Sequence, residues 1–157
     1  MHTVYLGLGS NLGDRAANLR RAVKALTPKA TVLAQSAAYE TPPWGVTNQP
    51  AFLNMAVKAE TELTPMELRD YVKGIEVALG RERSYHWGPR VIDLDILFYD
   101  DLIVNEPELV IPHPRLHERG FVLVPLESIA SELVHPVLGR SIGELLQNVD
   151  TSGIVPA

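Results

Sequence analysis

Apolar and polar positions change their period several times along the chain, and each change marks an element. Thr3 to Leu8 is a run of strand formers closed by Gly7 and Gly9. Leu19, Ala22, Val23 and Leu26 then stand at i, i+3, i+4 and i+7, which predicts a helix with Asp14 as N-cap and Thr27-Pro28 as its stop. A second strand is expected from about Thr31 to Tyr39, followed by a turn-rich loop from Thr41 to Pro50. Ala51 to Ala59 resumes the strand pattern, with Leu53, Met55 and Val57 on one face and Phe52, Asn54 and Ala56 on the other. Thr64-Pro65-Met66-Glu67 opens a second helix: Thr64 fits N-cap, Pro65 fits N1 and Glu67 completes a capping box. Its buried stripe is Leu68, Tyr71, Val72, Ile75 and Leu79, and Gly80 ends it. Val91 to Tyr99 has the β-branched and aromatic content of a further strand.

Laid end to end this is β-α-β-β-α-β, the order of a ferredoxin-like α+β core with a largely antiparallel sheet and helices packed on it. Leu102 to Val104 and Leu109 to Ile111 add a small hairpin. Short helices are expected near Phe121 to Ile129 and after Ser141-Ile142-Gly143-Glu144, a second capping box. No repeat or linker divides the chain, so residues 1–157 are expected to form one domain.

The strand from Val91 to Tyr99 is interrupted only by Asp93 and Asp95. Side chains two apart on a strand share a face, so both carboxylates project together, about 7 Å apart at their Cα atoms. Ile92, Leu94, Ile96 and Phe98 are then expected to point the other way. Like charges held side by side repel, and a divalent cation relieves that repulsion. Oxygen ligands of this kind suit magnesium, commonly held by one or two carboxylates plus substrate phosphates. Arg81, Arg83 and Arg90 lie just upstream, and guanidinium forks pair well with phosphate oxygens. Paired acids beside a cluster of cations fit a site for metal-bound polyphosphate. The plainer alternative is two acids on the wet face of a half-exposed strand.

Composition narrows the partners. Fourteen basic against nineteen acidic residues give a net charge of −5, which argues against a general nucleic-acid or membrane surface. With no cysteine there is neither a disulfide framework nor a thiolate zinc site. No signal-peptide pattern opens the chain and no apolar run is long enough to span a bilayer, so a cytoplasmic protein is expected. Gly7-x-Gly9-x-x-x-Gly13 after a strand imitates a dinucleotide fingerprint, with Glu40 ending the next strand. A doubly wound sheet needs further parallel units, however, and residues 31–60 offer two strands with only a loop between them. A Walker A loop is excluded because no Gly-Lys-Ser/Thr follows.

With these pieces placed, the chain resembles the 6-hydroxymethyl-7,8-dihydropterin pyrophosphokinase family of folate biosynthesis. The matching blocks are Gly9-Ser10-Asn11-Leu12-Gly13, Tyr39-Glu40-Thr41-Pro42-Pro43, Phe52-Leu53-Asn54, Glu76-Val77-Ala78-Leu79-Gly80-Arg81, Trp87-Gly88-Pro89-Arg90-Val91-Ile92-Asp93-Leu94-Asp95, Ile111-Pro112-His113-Pro114 and Arg119-Gly120-Phe121. They fall in family order from about residue 3 to 135. Trp44 stands where an aliphatic residue is usual, Lys73 where a glutamine is familiar, and the loop from Arg83 to Trp87 is short. The resemblance implies transfer of pyrophosphate from ATP to the pterin hydroxymethyl oxygen, releasing AMP, with two magnesium ions held by Asp93 and Asp95.

It also implies the remaining roles. Arg81 and Arg90 join the aspartates in catalysis. Lys73, Glu76, Arg81, Arg83, Trp87, Arg90, Ile96, His113 and Arg119 contact ATP. The pterin takes Phe52 and Phe121 as stacking faces, Asn54 as edge reader, Thr41 and Pro42 as backbone contacts, and Trp44 and Trp87 as walls, with the Trp87 loop closing to exclude water. A surface charge is the simpler reading of any one arginine, an i, i+3 ion pair of Lys73 with Glu76, core packing of either phenylalanine, and a structural hydrogen bond of His113. No histidine or glutamate stands out as a base for the alcohol, and metal coordination of the hydroxyl is the preferred explanation. The expected partners are small molecules only, with no nucleic acid and no membrane, acting on a monomer. Two alternatives stay open: another magnesium-dependent phosphoryl or nucleotidyl transferase using the same acids, and a non-catalytic ferredoxin-like module binding RNA or a small regulator. The 6% aromatic content and acidic charge disfavour the RNA module.

Overall fold

A computed structural model of the chain describes residues 1–41, 50–80 and 91–157. Its central sheet is built from β1 (His2–Ser10), β2 (Ala30–Gln35), β3 (Tyr39–Thr41), β4 (Phe52–Thr61), β5 (Asp93–Tyr99) and β8 (Val155–Pro156). The strand order is β5-β1-β4-β3-β8, with β2 also pairing β4, and every pairing is antiparallel. Strands β6 (Val104–Glu106) and β7 (Leu109–Ile111) form a separate hairpin. Helices α1 (Arg15–Ala25) and α2 (Pro65–Ala78) cover one face; α3 (Gly120–Ala130) and α4 (Ile142–Leu146) cover part of the other.

The helix starts follow local chemistry. Asp14 caps α1 by accepting from Ala17 N at 3.1 Å. Thr64 and Glu67 form a complete capping box at α2, as do Ser141 and Glu144 at α4. Gly80, at φ +88°, follows the α2 C-cap in the left-handed conformation that glycine adopts without strain. Leu19, Ala22, Leu26, Leu68, Val72 and Ile75 all reach the core between these helices and the sheet, together with Leu53, Met55 and Val57 of β4.

Three expectations need correction. The strand placed at 31–39 is two short strands, broken at Ser36, whose hydroxyl accepts from Ala56 N while its own N–H donates to Ala56 O. The register of β5 against β1 slips by one residue at Leu97: Leu6 faces Ile96, yet Tyr5 faces Phe98. This β-bulge turns Phe98 away from Leu94 and Ile96, so that Leu97 and Phe98 both pack under α3 and α4 while Tyr99 enters the opposite core. The hairpin begins at Val104, not Leu102, and β8 is an additional strand that no periodicity announces. No described helix is long and apolar enough to cross a membrane.

Candidate active site

Because β5 is the outer strand, its carboxylates sit where the sheet edge meets open space. Asp95 is exposed and Asp93 half-buried, while Ile92, Leu94 and Ile96 are buried on the other face. The neighbouring strand supplies no side chain opposite either acid: Asp93 pairs with Gly9 and Asp95 with Gly7. The next strand continues the row with Asn54 opposite Gly9 and Ala56 opposite Gly7. Cross-strand partners share a face, so the acids, two glycines and Asn54 lie on one side of the sheet. Helices α3 and α4 pack over the Tyr5, Ala56 and Leu97 end of that face. The Asp93–Gly9–Asn54 end lies beyond those helices and forms, among the described residues, a shelf in which Gly9 and Asn54 are buried and Asp93 is half-buried.

The shelf is tightly made. A Cβ at Gly9 would lie 2.6 Å from Asn54 Oδ1 and 3.5 Å from Phe52 Cδ1, so the place of the missing side chain is taken by residues two apart on β4. Asn54 is buried, and its Nδ2 donates to the buried Thr41 Oγ1 at 2.7 Å. With the amide nitrogen engaged there, Oδ1 is presented over Gly9 as an acceptor. Thr41, Phe52 and Asn54 are thus brought together as expected.

On the outer side of β5 a groove of about 250 Å³ is lined by Val72, Lys73, Asp95, Ile96, His113 and the hairpin residues Glu108 to Val110, among others. It brings Lys73, Ile96 and His113 together with Asp95. Glu76 is 4% exposed, and its Oε2 accepts from Leu94 N at 2.8 Å, the peptide between the two aspartates. It therefore fastens α2 to the acid-bearing stretch of β5 rather than facing solvent. Sequence reasoning missed Arg69, Pro107, Glu108 and Val110, which also line the groove. Arg69 Nε donates to Glu108 O at 3.0 Å and so ties the hairpin to α2; an arginine-to-carbonyl bond 39 residues away leaves no local signal.

His113 and Arg119 complete the described part of the site. The His113 N–H donates to Leu97 O at 3.1 Å, hooking the segment onto the free edge of β5. Burial, reinforced by the Arg119 and Arg115 guanidiniums, pushes the imidazole down to about 4. Nδ1 accepts from Arg115 N at 3.4 Å, so the neutral ring carries its proton on Nε2 and can donate it to an anion. Arg119 is held below the usual guanidinium range chiefly by burial, while the charges of Asp95 and, more weakly, Asp93 pull it back up. Its Cζ lies 5.5 Å from the Phe121 ring centroid. The assignments to Pro42, Trp44, Arg81, Arg83, Trp87 and Arg90 lie outside the described residues.

The His113 environment predicts a pH effect with a definite sign. Between pH 6.5 and about 4 the unfolded chain takes up a proton at this residue that the folded chain refuses. Stability is therefore full above 6.5 and falls as pH drops toward 4. His135, also lowered by burial and by His117, acts in the same direction. NMR titration of wild type should give a His113 midpoint near 4, and the His113→Gln variant should lose less stability over that window. A midpoint at the ordinary value of 6.5 would contradict this environment.

Comparison with known proteins identifies the family. The family model described as 7,8-dihydro-6-hydroxymethylpterin-pyrophosphokinase (HPPK) matches residues 5–131. A 2-amino-4-hydroxy-6-hydroxymethyldihydropteridine pyrophosphokinase of Methylorubrum extorquens is 53% identical over 156 residues, covering 98% of each chain. One of the same name from Aquifex aeolicus is 42% identical over 144 residues, covering 92% of this chain and 90% of that one. Among solved structures, Plasmodium falciparum HPPK-DHPS superposes with a TM-score of 0.74 at 18% identity over 93% of this chain, which spans 44% of that longer protein; this likeness concerns the fold. The chain belongs to the 7,8-dihydro-6-hydroxymethylpterin-pyrophosphokinase family.

Proposed function

We propose that the two faces of β5 divide the work of one reaction, with the nucleotide in the outer groove and the pterin on the shelf. The reaction is that of the family: transfer of the pyrophosphoryl group of ATP to the hydroxymethyl oxygen of 6-hydroxymethyl-7,8-dihydropterin in folate biosynthesis. The alcohol oxygen bonds to the β-phosphorus, the bond from that phosphorus to the α-phosphate oxygen breaks, AMP departs and the hydroxyl proton is released. One observation carries the division. Asp93 and Asp95 stand side by side opposite two glycines, and Asp95 also lines the groove.

The donor set fits magnesium. Two carboxylates share one face, and among the described residues no third acidic, histidine or cysteine ligand joins them. That suits a hard cation completed by phosphate oxygens and water, not a cage made by protein alone. Asp93 and Asp95 would hold two such ions, which supply charge neutralisation for the triphosphate and lower the pKa of the attacking hydroxyl. Arg119 and the Nε2–H of His113 offer positive charge and a donor to phosphate oxygens. Phe121 and Phe52 offer aromatic faces to the pterin, and Asn54 Oδ1 an acceptor for its ring N–H groups. Glu76 holds the peptide of Leu94 so that both aspartates keep their direction. Thr41, Lys73 and Ile96 keep the contact roles already given, as do Pro42, Trp44, Arg81, Arg83, Trp87 and Arg90.

The ferredoxin-like reading of the core is supported by the order β5-β1-β4 with β2 and β3 beyond, all antiparallel. We read the chain as one such domain acting as a cytoplasmic monomer on small molecules; relatives named as folic acid synthesis proteins support the small-molecule part of that reading. Incubation with ATP, magnesium and the reduced pterin, followed by mass spectrometry, tests the function. AMP formed only in the presence of the pterin is expected. ADP, or pyrophosphate released without pterin, would favour a different phosphoryl or nucleotidyl transferase.

A further inference from the structure

Residues 149–157 lie beyond the stretch that the family model matches, yet they touch two elements of the site. The segment leaves α4 and turns at Asp150, whose Oδ1 accepts from Ser152 N at 2.9 Å and from Ser152 Oγ at 2.6 Å. A tight turn follows, with Ile154 N donating to Thr151 O and Gly153 at φ +80°. The chain then runs out as β8, whose Val155 and Pro156 pair with Glu40 and Tyr39 of β3, and Ala157 N donates to Ala38 O at 3.0 Å. One end of the segment is thereby hydrogen-bonded to the strand that carries Thr41, the hydrogen-bond partner of Asn54.

The other end presses on α3. Gly120, buried between Arg119 and Phe121, would meet the Asp150 carbonyl oxygen at 2.8 Å and Ile154 Cδ1 at 3.0 Å if it carried a Cβ, with Val149 Cγ1 at 3.6 Å. The glycine is required by close approach and not by its backbone angle. At Gly120, as at Gly9, a Cβ would fall within 3 Å of another atom, and both glycines sit at the proposed pterin site.

We propose that residues 149–157 act as a strut that positions the pterin-binding residues: seated on Gly120 and stitched to β3, they set the spacing between Phe121 and the Thr41–Asn54 pair. Gly120 and Ile154 are positioning residues, since neither need touch substrate. The inference rests on the reading of Phe121 and Asn54 as pterin contacts. The segment reaches the site from the side opposite the nucleotide groove, so its loss should weaken pterin binding more than turnover.

The test is Gly120→Ala in the full chain, with KM for the pterin, kcat and pterin affinity by calorimetry in the presence of a non-hydrolysable ATP analogue. Displacing Phe121 by a fraction of an ångström is expected to raise pterin KM and Kd about tenfold, with kcat changed less than about threefold and native circular dichroism. Adding Ile154→Ala, which lets the segment yield, should restore at least about half of that loss on a logarithmic scale. Lowered melting temperature with unchanged pterin KM, or no rescue by the second substitution, would overturn the strut. If Gly120→Ala does not fold, Ile154→Ala alone decides: a rise in pterin KM of about threefold supports the strut and no rise overturns it. A wild-type protein that forms no AMP would overturn the functional reading instead, so the two failures are distinguishable.

Discussion

Asp95→Ala is expected to lower kcat on the order of 10³-fold or more while leaving the far-ultraviolet circular dichroism spectrum native. Asp95 is exposed on the outer strand and its partner across the sheet is Gly7, so removing the carboxylate leaves no cavity in the core. The fold should therefore survive. What is lost is one of the two side-by-side anionic groups, the one that also lines the groove. Arg119 feels Asp95 more strongly than Asp93, so its guanidinium would lose the stronger of these two counter-charges. Asp95→Asn separates these effects: it keeps the shape and one acceptor oxygen but not the charge, and its activity should also fall steeply. Recovery at high magnesium concentration in Asp95→Asn but not in Asp95→Ala would show weakened cation binding. Either variant turning over at near the wild-type rate would sink the ligand assignment.

How much of this was legible before coordinates depends on the range of each interaction. The caps at Asp14, Thr64 and Ser141 were readable because donor and acceptor lie three residues apart. The shared face of Asp93 and Asp95 was readable because it depends only on the two-residue period of a strand. Phe98 was misplaced because a bulge at Leu97 is a property of two strands, and nothing in the local pattern marks the extra residue. The inward turn of Glu76 was hidden for a similar reason: a carboxylate at i+3 from Lys73 looks like half of a surface ion pair until β5 is laid against it. Short β8, ending on a proline, carries no periodicity at all. The resemblance supplied the roles expected of Asn54, His113 and Phe121; spacing alone left His113 and Phe121 with ordinary structural alternatives.

The second large effect is expected at Gly9, which the sequence marks as a strand end and as the first residue of a block shared with the family. Gly9→Ala places a Cβ 2.6 Å from Asn54 Oδ1, closer than such atoms approach in proteins. Two relaxations are open. Asn54 can rotate, which breaks the 2.7 Å bond from Nδ2 to Thr41 Oγ1 and strands a buried donor, a penalty of about 1–3 kcal/mol. Alternatively β1 bows away from β4, which drags Asp93 along because Gly9 is its cross-strand partner. The first route removes the acceptor offered to the pterin, and the second misaligns a carboxylate. Either should reduce kcat/KM for the pterin about 10²-fold. A double-mutant cycle distinguishes them: if the clash with Asn54 is the cause, Gly9→Ala should cost little further activity in an Asn54→Ala background. Fully additive losses would assign the effect to β1 and Asp93 instead. Unchanged pterin kinetics in Gly9→Ala would mean that substrate never reaches this shelf.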